Sequence, residues 1–172
     1  STFIINEKTW MLDKDGELIL RKAFINANDI RFHQKEQQLI LSSEMDDEKD
    51  EQKIVLNITK FILEDFIPFA FKDPKIEGTI TGLITVTDPL GKSIIEFFGK
   101  ADSLKIENEK IGSISLQSKF DLEKKELTFQ TQNIDSINIF TADGKFRYKD
   151  SANSIEARLT GKKIQLSIIE PY

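Results

Sequence analysis

NITKFILEDFIPFAFKDPKIEGTITGLITVTDP, residues Asn57 to Pro89, is the stretch whose reading decides the fold. Its first half crowds Phe61, Ile62, Leu63, Phe66, Ile67, Phe69, Ala70 and Phe71 into eleven positions. In its second half the pattern is a strict alternation. Ile76, Gly78, Ile80, Gly82, Ile84 and Val86 point one way, and Glu77, Thr79, Thr81, Leu83, Thr85 and Thr87 point the other. A period near 3.6 handing over to a period of 2 predicts a short helix feeding a long strand. On this reading Asn57 or Thr59 is the helix N-cap, so the Asn57-Ile58-Thr59 glycosylation triplet is incidental. Pro68 kinks or ends the helix. So apolar a helix is expected to be buried on several sides, plugging the mouth or edge of a sheet with Phe61, Phe66, Ile67 and Phe69. It would lie beside the Ile76–Val86 strand, with Gly78 and Gly82 allowing close approach.

Upstream, TFIINEKTWMLDKDGELILRK offers two short strands around Asp15-Gly16, a hairpin signal. A calcium loop starting at Asp13 fails, because Leu18 stands where glycine is needed and Phe24 where a bidentate glutamate is needed. Short strands follow at Phe24–Ala27, Ile30–His33 and Gln38–Ser42, with turns at Asn28-Asp29 and Lys35-Glu36. His33 is the single histidine of a chain without cysteine, so it anchors no zinc site and reads as a strand-end surface residue. Glu44–Glu51 holds six acidic residues in eight and reads as a solvated loop rather than a docking site for a basic partner. Lys53–Ile58 alternates again.

Downstream of the Pro89-Leu90-Gly91 turn, strands are expected at Ile94–Ala101, Ser103–Glu107, Gly112–Leu122, Glu126–Gln132, Ile137–Phe140, Lys145–Lys149, Ser154–Thr160 and Lys163–Ile168. A turn is expected at Asp143-Gly144. Ile114, Leu116, Phe120, Leu127, Phe129, Phe146 and Leu159 all fall on the apolar side of their segments. Strands at this spacing, joined by short polar turns, make a meandering antiparallel sheet. With little helix to cover its apolar face, the sheet must cover itself by curling or folding over.

Composition narrows the function. The chain has 172 residues, enough for one domain with a sizeable core. Its 39% hydrophobic and 31% charged content is that of a globular protein, and its 13 Phe against one Trp favour a large apolar interior. A net charge of −5 argues against nucleic acid and anionic membrane surfaces as partners. Zero cysteines exclude disulfides and thiolate metal sites. No apolar run approaches the ~18 residues of a membrane span, and no signal peptide is visible. The chain opens without Met and closes just after an apolar run, so residues 1–172 read as a single β-rich segment of something longer. GxSxG, P-loop, HExxH and GxGxxG patterns are absent, and nothing marks two carboxylates out of 29 as an acid/base pair. The expectation is a non-enzyme with no cofactor and no metal.

The layout resembles a segment of the translocation-and-assembly-module B (TamB) proteins of the AsmA-like superfamily. The residues that carry the resemblance are the Trp-containing strand WMLDKDGELIL, the apolar ITKFILEDFIPFAF, and IEGTITGLITVTDP, with Gly78 and Gly82 four apart and an Asp88-Pro89 turn. The acidic loop Glu44–Glu51 departs from that pattern. The resemblance implies an all-β, mainly antiparallel β-taco: a U-shaped sheet, folded over lengthwise, with an apolar interior and one short helix. Its groove would be lined by Ile80, Ile84, Leu116, Phe120, Leu127, Phe129, Phe146 and Leu159. It further implies a parent anchored in the inner membrane of a Gram-negative bacterium and spanning the periplasm. Such a protein works with an Omp85-type outer-membrane barrel, in phospholipid transport between the membranes and in outer-membrane protein assembly. Ten to twelve strands at ~4.8 Å give a gutter roughly 50 Å long. In it an acyl chain gains at most ~0.8 kcal/mol per methylene and can slide. Two alternatives stay open: the apolar face closes into a dry sandwich or barrel, or the segment is a scaffold that binds unfolded barrel proteins by strand addition.

Overall fold

The computed structural model describes residues 1–22, 24–46, 51–65, 75–135, 139–148 and 154–163. They form thirteen strands: β1 (Thr2–Ile5), β2 (Lys8–Leu12), β3 (Glu17–Leu20), β4 (Ile25–Asn28), β5 (Ile30–Gln34), β6 (Gln37–Asp46), β7 (Glu51–Ile62), β8 (Ile76–Thr87), β9 (Ile94–Ile106), β10 (Glu109–Asp121), β11 (Glu126–Asn133), β12 (Ile139–Arg147) and β13 (Ser154–Lys163). Eleven of them build one antiparallel sheet in the order β1-β2-β5-β6-β7-β8-β9-β10-β11-β12-β13. It is not closed into a barrel. β3 and β4 pair only with each other. Their small hairpin is tied to the large sheet through side chains: the Ala27 N–H donates to Ser43 Oγ at 2.9 Å and the Ile25 N–H to Gln52 Oε1 at 2.9 Å.

The start of the expected helix is corrected. Asn57–Ile62 is the end of β7, paired with β6 and β8, and among the described residues of this stretch only Leu63–Asp65 is helical, as one 3₁₀ turn. Asn57 and Thr59 are therefore strand residues, not N-caps. The cause is a β-bulge. β7 alternates through Ile54, Leu56 and Ile58, then shifts register between Ile58 and Phe61, with Lys60 at φ 48°. The extra residue turns a spacing of two into one of three, so Ile58, Phe61 and Ile62 mimic a helical stripe. Phe66, Ile67 and Phe69 lie outside the described residues.

Other expectations are corrected by register. Asp15-Gly16 is no hairpin, because β2 pairs with β1 and β5 while β3 pairs with β4. Asp143-Gly144 is no turn but the middle of β12, facing Gln130 and Phe129 of β11. Ile94–Ala101 and Ser103–Glu107 fuse into one strand, β9. Glu44, Met45, Asp46 and Glu51 belong to the paired ends of β6 and β7 rather than to a loop. Of the expected Lys163–Ile168 strand, only Lys163 is described, at the end of β13.

A line of bulges crosses the middle strands. Register shifts occur between Glu77 and Thr79 in β8 and around Gly112 in β10, and Ser103 of β9 has φ 54°. Gly78 (φ 144°) and Gly112 (φ 96°) occupy left-handed backbone that other residues rarely tolerate. Polar side chains satisfy the irregular backbone: the Gly78 N–H donates to Glu64 Oε2 at 2.9 Å, the Lys60 N–H to Thr81 Oγ1 at 3.1 Å, and the Ser113 N–H to the Asp135 carboxylate. At this crease sits one core cluster, Ala101, Leu104 and Ile111, with Leu63, Ile76, Ile106, Ile114 and Phe140 packed around it.

Candidate functional site

Residues directly opposite each other in an antiparallel ladder share a face. Following the register outward from β8, Ile84 faces Leu56 and Phe97, Phe97 faces Ser118, Ser118 faces Phe129, Phe129 faces Gly144, and Gly144 faces Ala157. Ile80, Leu116, Phe120, Leu127, Phe146 and Leu159 stand at even offsets from these positions along their strands. All eight residues expected to line a groove therefore lie on one face of one sheet. Phe61, expected as part of a helix plug, lies on that same face from within β7, opposite Ile80.

From Ile80–Val86 of β8 to Ile155–Leu159 of β13 this face carries no charged side chain among the described residues. Its polar members are Ser118, Thr131 and Asn133. The opposite face of the same strands bears Glu96, Lys100, Lys119, Glu126, Asp143, Lys145, Arg147, Glu156 and Arg158. There Arg147 Nε donates to Glu126 Oε2 at 2.6 Å and Lys145 lies 3.2 Å from Oε1. Arg147 first and Lys145 second hold the Glu126 carboxyl below its usual range. Such pairs keep the outer face charged and hydrated.

The apolar face is smooth rather than deep. Gly82 and Gly99 face each other across β8 and β9, and the Phe97 ring lies over both: an added Cβ would stand 2.8 Å and 2.6 Å from its carbons. The Phe129 ring covers Gly144 in the same way, at 2.6 Å. Gly82 thus accommodates an aromatic ring from the neighbouring strand, not a docked helix. Ile80, Ile84, Leu116, Phe120, Leu127, Phe129 and Phe146 are half-buried, and Leu159 is 52% exposed. Among the described residues, the buried cluster on these strands is the one around Ala101, Leu104 and Ile111 at the crease, and it includes none of these eight side chains.

The first half of the sheet is different. β2 and β7 are separated by β5 and β6, three ladder spacings or ~14 Å in a flat sheet. Yet the rings of Trp10 and Phe61 are 6.0 Å apart. The sheet therefore curls over its apolar face here. Phe3 packs against Trp10 at 6.4 Å and against Phe32 at 5.8 Å, and Trp10 is 1% exposed. Polar ties lock the curl. Lys8 Nζ of β2 reaches both oxygens of the buried Asp65 carboxylate, at 2.7 and 2.6 Å. Gln37 accepts from the Ile62 N–H at 2.8 Å and donates to Gln34 at 2.8 Å. Composition and alternation do not signal these contacts, because they depend on how far the sheet curls.

Two open hollows of about 560 Å³ each lie on the charged face, on either side of the Leu83–Phe98 cross-strand pair. Of the expected groove residues only Phe129 borders one of them. His33 stands in β5, with Nε2 3.0 Å from Asp13 Oδ1. Among the described residues no group of three or more His, Cys, Asp or Glu could hold a metal ion, and no helix is long and apolar enough to cross a membrane. No family model, curated protein or solved structure matches the chain.

Proposed function

We propose that this chain is a non-enzymatic bridge segment of the TamB type, which carries phospholipid acyl chains along its apolar face between the inner and outer membranes of a Gram-negative envelope. In this reading the parent spans the periplasm and works with an Omp85-type barrel in outer-membrane biogenesis. One observation carries the proposal: among the described residues, a single face free of charge runs across six consecutive strands, its groove side chains half-buried or exposed, on a sheet whose other face is densely charged. A hydrocarbon chain is the ligand that asks for no polar partner. Each methylene removed from water there gains up to ~0.8 kcal/mol, and the absence of fixed polar anchors leaves the chain free to slide.

The test is a photoreactive phenylalanine analogue in place of Phe129 or Leu116, irradiated in living cells. Phospholipid adducts at these positions, with none at Lys119 on the charged face, are expected. Equal labelling of both faces, or none at either, rejects the conduit.

A second reading, a scaffold that accepts unfolded barrel strands, is favoured by β13. It is the outermost strand of the sheet among the described residues, and Ile155 through Lys162 are all exposed. An incoming strand would extend the ladder there through main-chain hydrogen bonds.

A further inference from the structure

We propose that the hydrated face of the sheet carries a second site, a shallow furrow across β7–β12 that binds an extended, uncharged glycan chain stacked on Phe98. The site lies opposite the acyl-chain path and does not depend on the conduit reading. The two hollows beside the Leu83–Phe98 pair are continued by a third, of about 270 Å³, over Ser115, Gln117, Gln130, Gln132 and Thr141. Leu83 and Phe98 border both large hollows, and Gln117, Gln130 and Asp143 border one of these and the third. Together they make one furrow from Asn57 of β7 to Asp143 of β12, running across the strands rather than along them.

The furrow's chemistry selects the ligand. At its centre the Phe98 side chain is 64% exposed in mid-strand, with Leu83 opposite it and Ile134, 49% exposed, on the wall of the same hollow. An apolar patch in the middle of a hydrated face marks a contact surface. Around it the hydrogen-bonding groups are neutral hydroxyls and amides. Among the described residues no hydrogen bond engages the amides of Gln117, Gln130 and Gln132, each of which offers two donors and an acceptor. The lysines that border the furrow are already engaged: Lys100 lies 2.8 Å from Asp102 and Lys119 lies 3.7 Å from Glu96. An anionic ligand therefore meets no unpaired lysine there. A hydrocarbon would strip water from the amides and return no hydrogen bond. An incoming strand finds no open edge, because β8–β12 are paired on both sides. A sugar ring meets both demands, laying its C–H face on Phe98 and turning its hydroxyls to the amides. Neighbouring strands lie ~4.8 Å apart, close to the advance of one sugar in an extended β-linked chain. Successive sugars thus meet successive strands.

The probes are cellohexaose and chitohexaose, two extended β-linked chains, with maltohexaose, whose chain coils, as the contrast. Titrated into the nitrogen-15-labelled protein, either extended chain is expected to shift the amide resonances of Phe98, Gln117 and Gln130, and maltohexaose to shift them less. The stronger of the two extended probes tells whether the furrow reads hydroxyl-only or N-acetylated sugars. Phe98→Ala removes the stacking ring from an exposed position and is expected to weaken binding about tenfold, while Phe98→Tyr keeps it. Gln117→Ala combined with Gln130→Ala leaves the ring in place and is also expected to weaken binding. Absence of shifts with all three probes at millimolar concentration overturns the site. Binding that maps to other residues, or that survives both the Phe98→Ala and the double glutamine variants undiminished, overturns the furrow as its seat. Failure of every glycan, together with a protein crosslinked in cells by a photoreactive analogue at position 98, makes the furrow a protein contact and overturns the glycan assignment.

Discussion

A glycine in the middle of a strand weakens it unless something needs the space, and Gly144 shows what does. The Asp143-Gly144 pair carries the sequence signature of a tight turn, because both residues tolerate left-handed backbone. In the structure the pair is mid-strand, and the absent side chain is replaced by the Phe129 ring from β11. Nothing local distinguishes the two uses of glycine. The distinction lies in a cross-strand neighbour fifteen residues away in sequence. Gly144→Ala is therefore expected to cost about 1–3 kcal/mol, since its Cβ would stand 2.6 Å from the ring and 2.8 Å from the Glu156 carbonyl oxygen. The measurement is a shift of the urea midpoint at constant slope. An unaltered midpoint would show that the ring does not rest there.

At the scale of elements, what was legible in the sequence was alternation, and what was hidden was its interruption. Ile76–Val86, Gly112–Leu122, Glu126–Gln132 and Ser154–Thr160 all read as strands from their alternation, and their apolar members other than Leu83 share one face. The stretch around Phe61 was misread because a bulge inserts a residue into the period of two, and an apolar run with a spacing of three looks helical. The Lys8–Asp65 tie was equally invisible, since it links positions 57 residues apart. It fixes the end of β7 and the 3₁₀ turn to β2, with the Asp65 side chain 7% exposed and Lys8 at the rim. The two partners should not be equivalent. Lys8→Met leaves a carboxylate shielded from water without its cation and is expected to cost roughly 2–4 kcal/mol. Asp65→Asn leaves a neutral amide and an ammonium that can turn to solvent, so it should cost less. Thermal denaturation of the two variants side by side checks the order, and a reversed order would mean the pair does not hold the curl shut.

On the scale of the whole molecule, the described strands curl over their apolar face at β2–β7 and leave it less covered over β11–β13, and the same substitution should have opposite consequences in the two halves. Ile58 lies on the apolar face in the curled half, where it is buried; Phe129 lies on the same face in the open half, where it is half-buried. A carboxylate placed at position 58 loses its hydration with no partner, and Ile58→Asp is expected to cost several kcal/mol and to unfold a marginally stable chain. At position 129 the carboxylate can still reach water, so Phe129→Asp is expected to keep the fold with a melting temperature well above that of Ile58→Asp. On the conduit reading proposed above, transport should respond in the reverse sense. A fixed negative charge at position 129 would face every passing methylene with a hydrated group, which a hydrocarbon chain cannot solvate. Cells carrying Phe129→Asp in the full-length protein are thus expected to lose phospholipid delivery to the outer membrane while the protein remains folded and abundant. Unfolding by Phe129→Asp to the extent seen with Ile58→Asp would show that the face is sealed over β11 in the cell. A folded, abundant Phe129→Asp protein with undiminished delivery would show that acyl chains take another route.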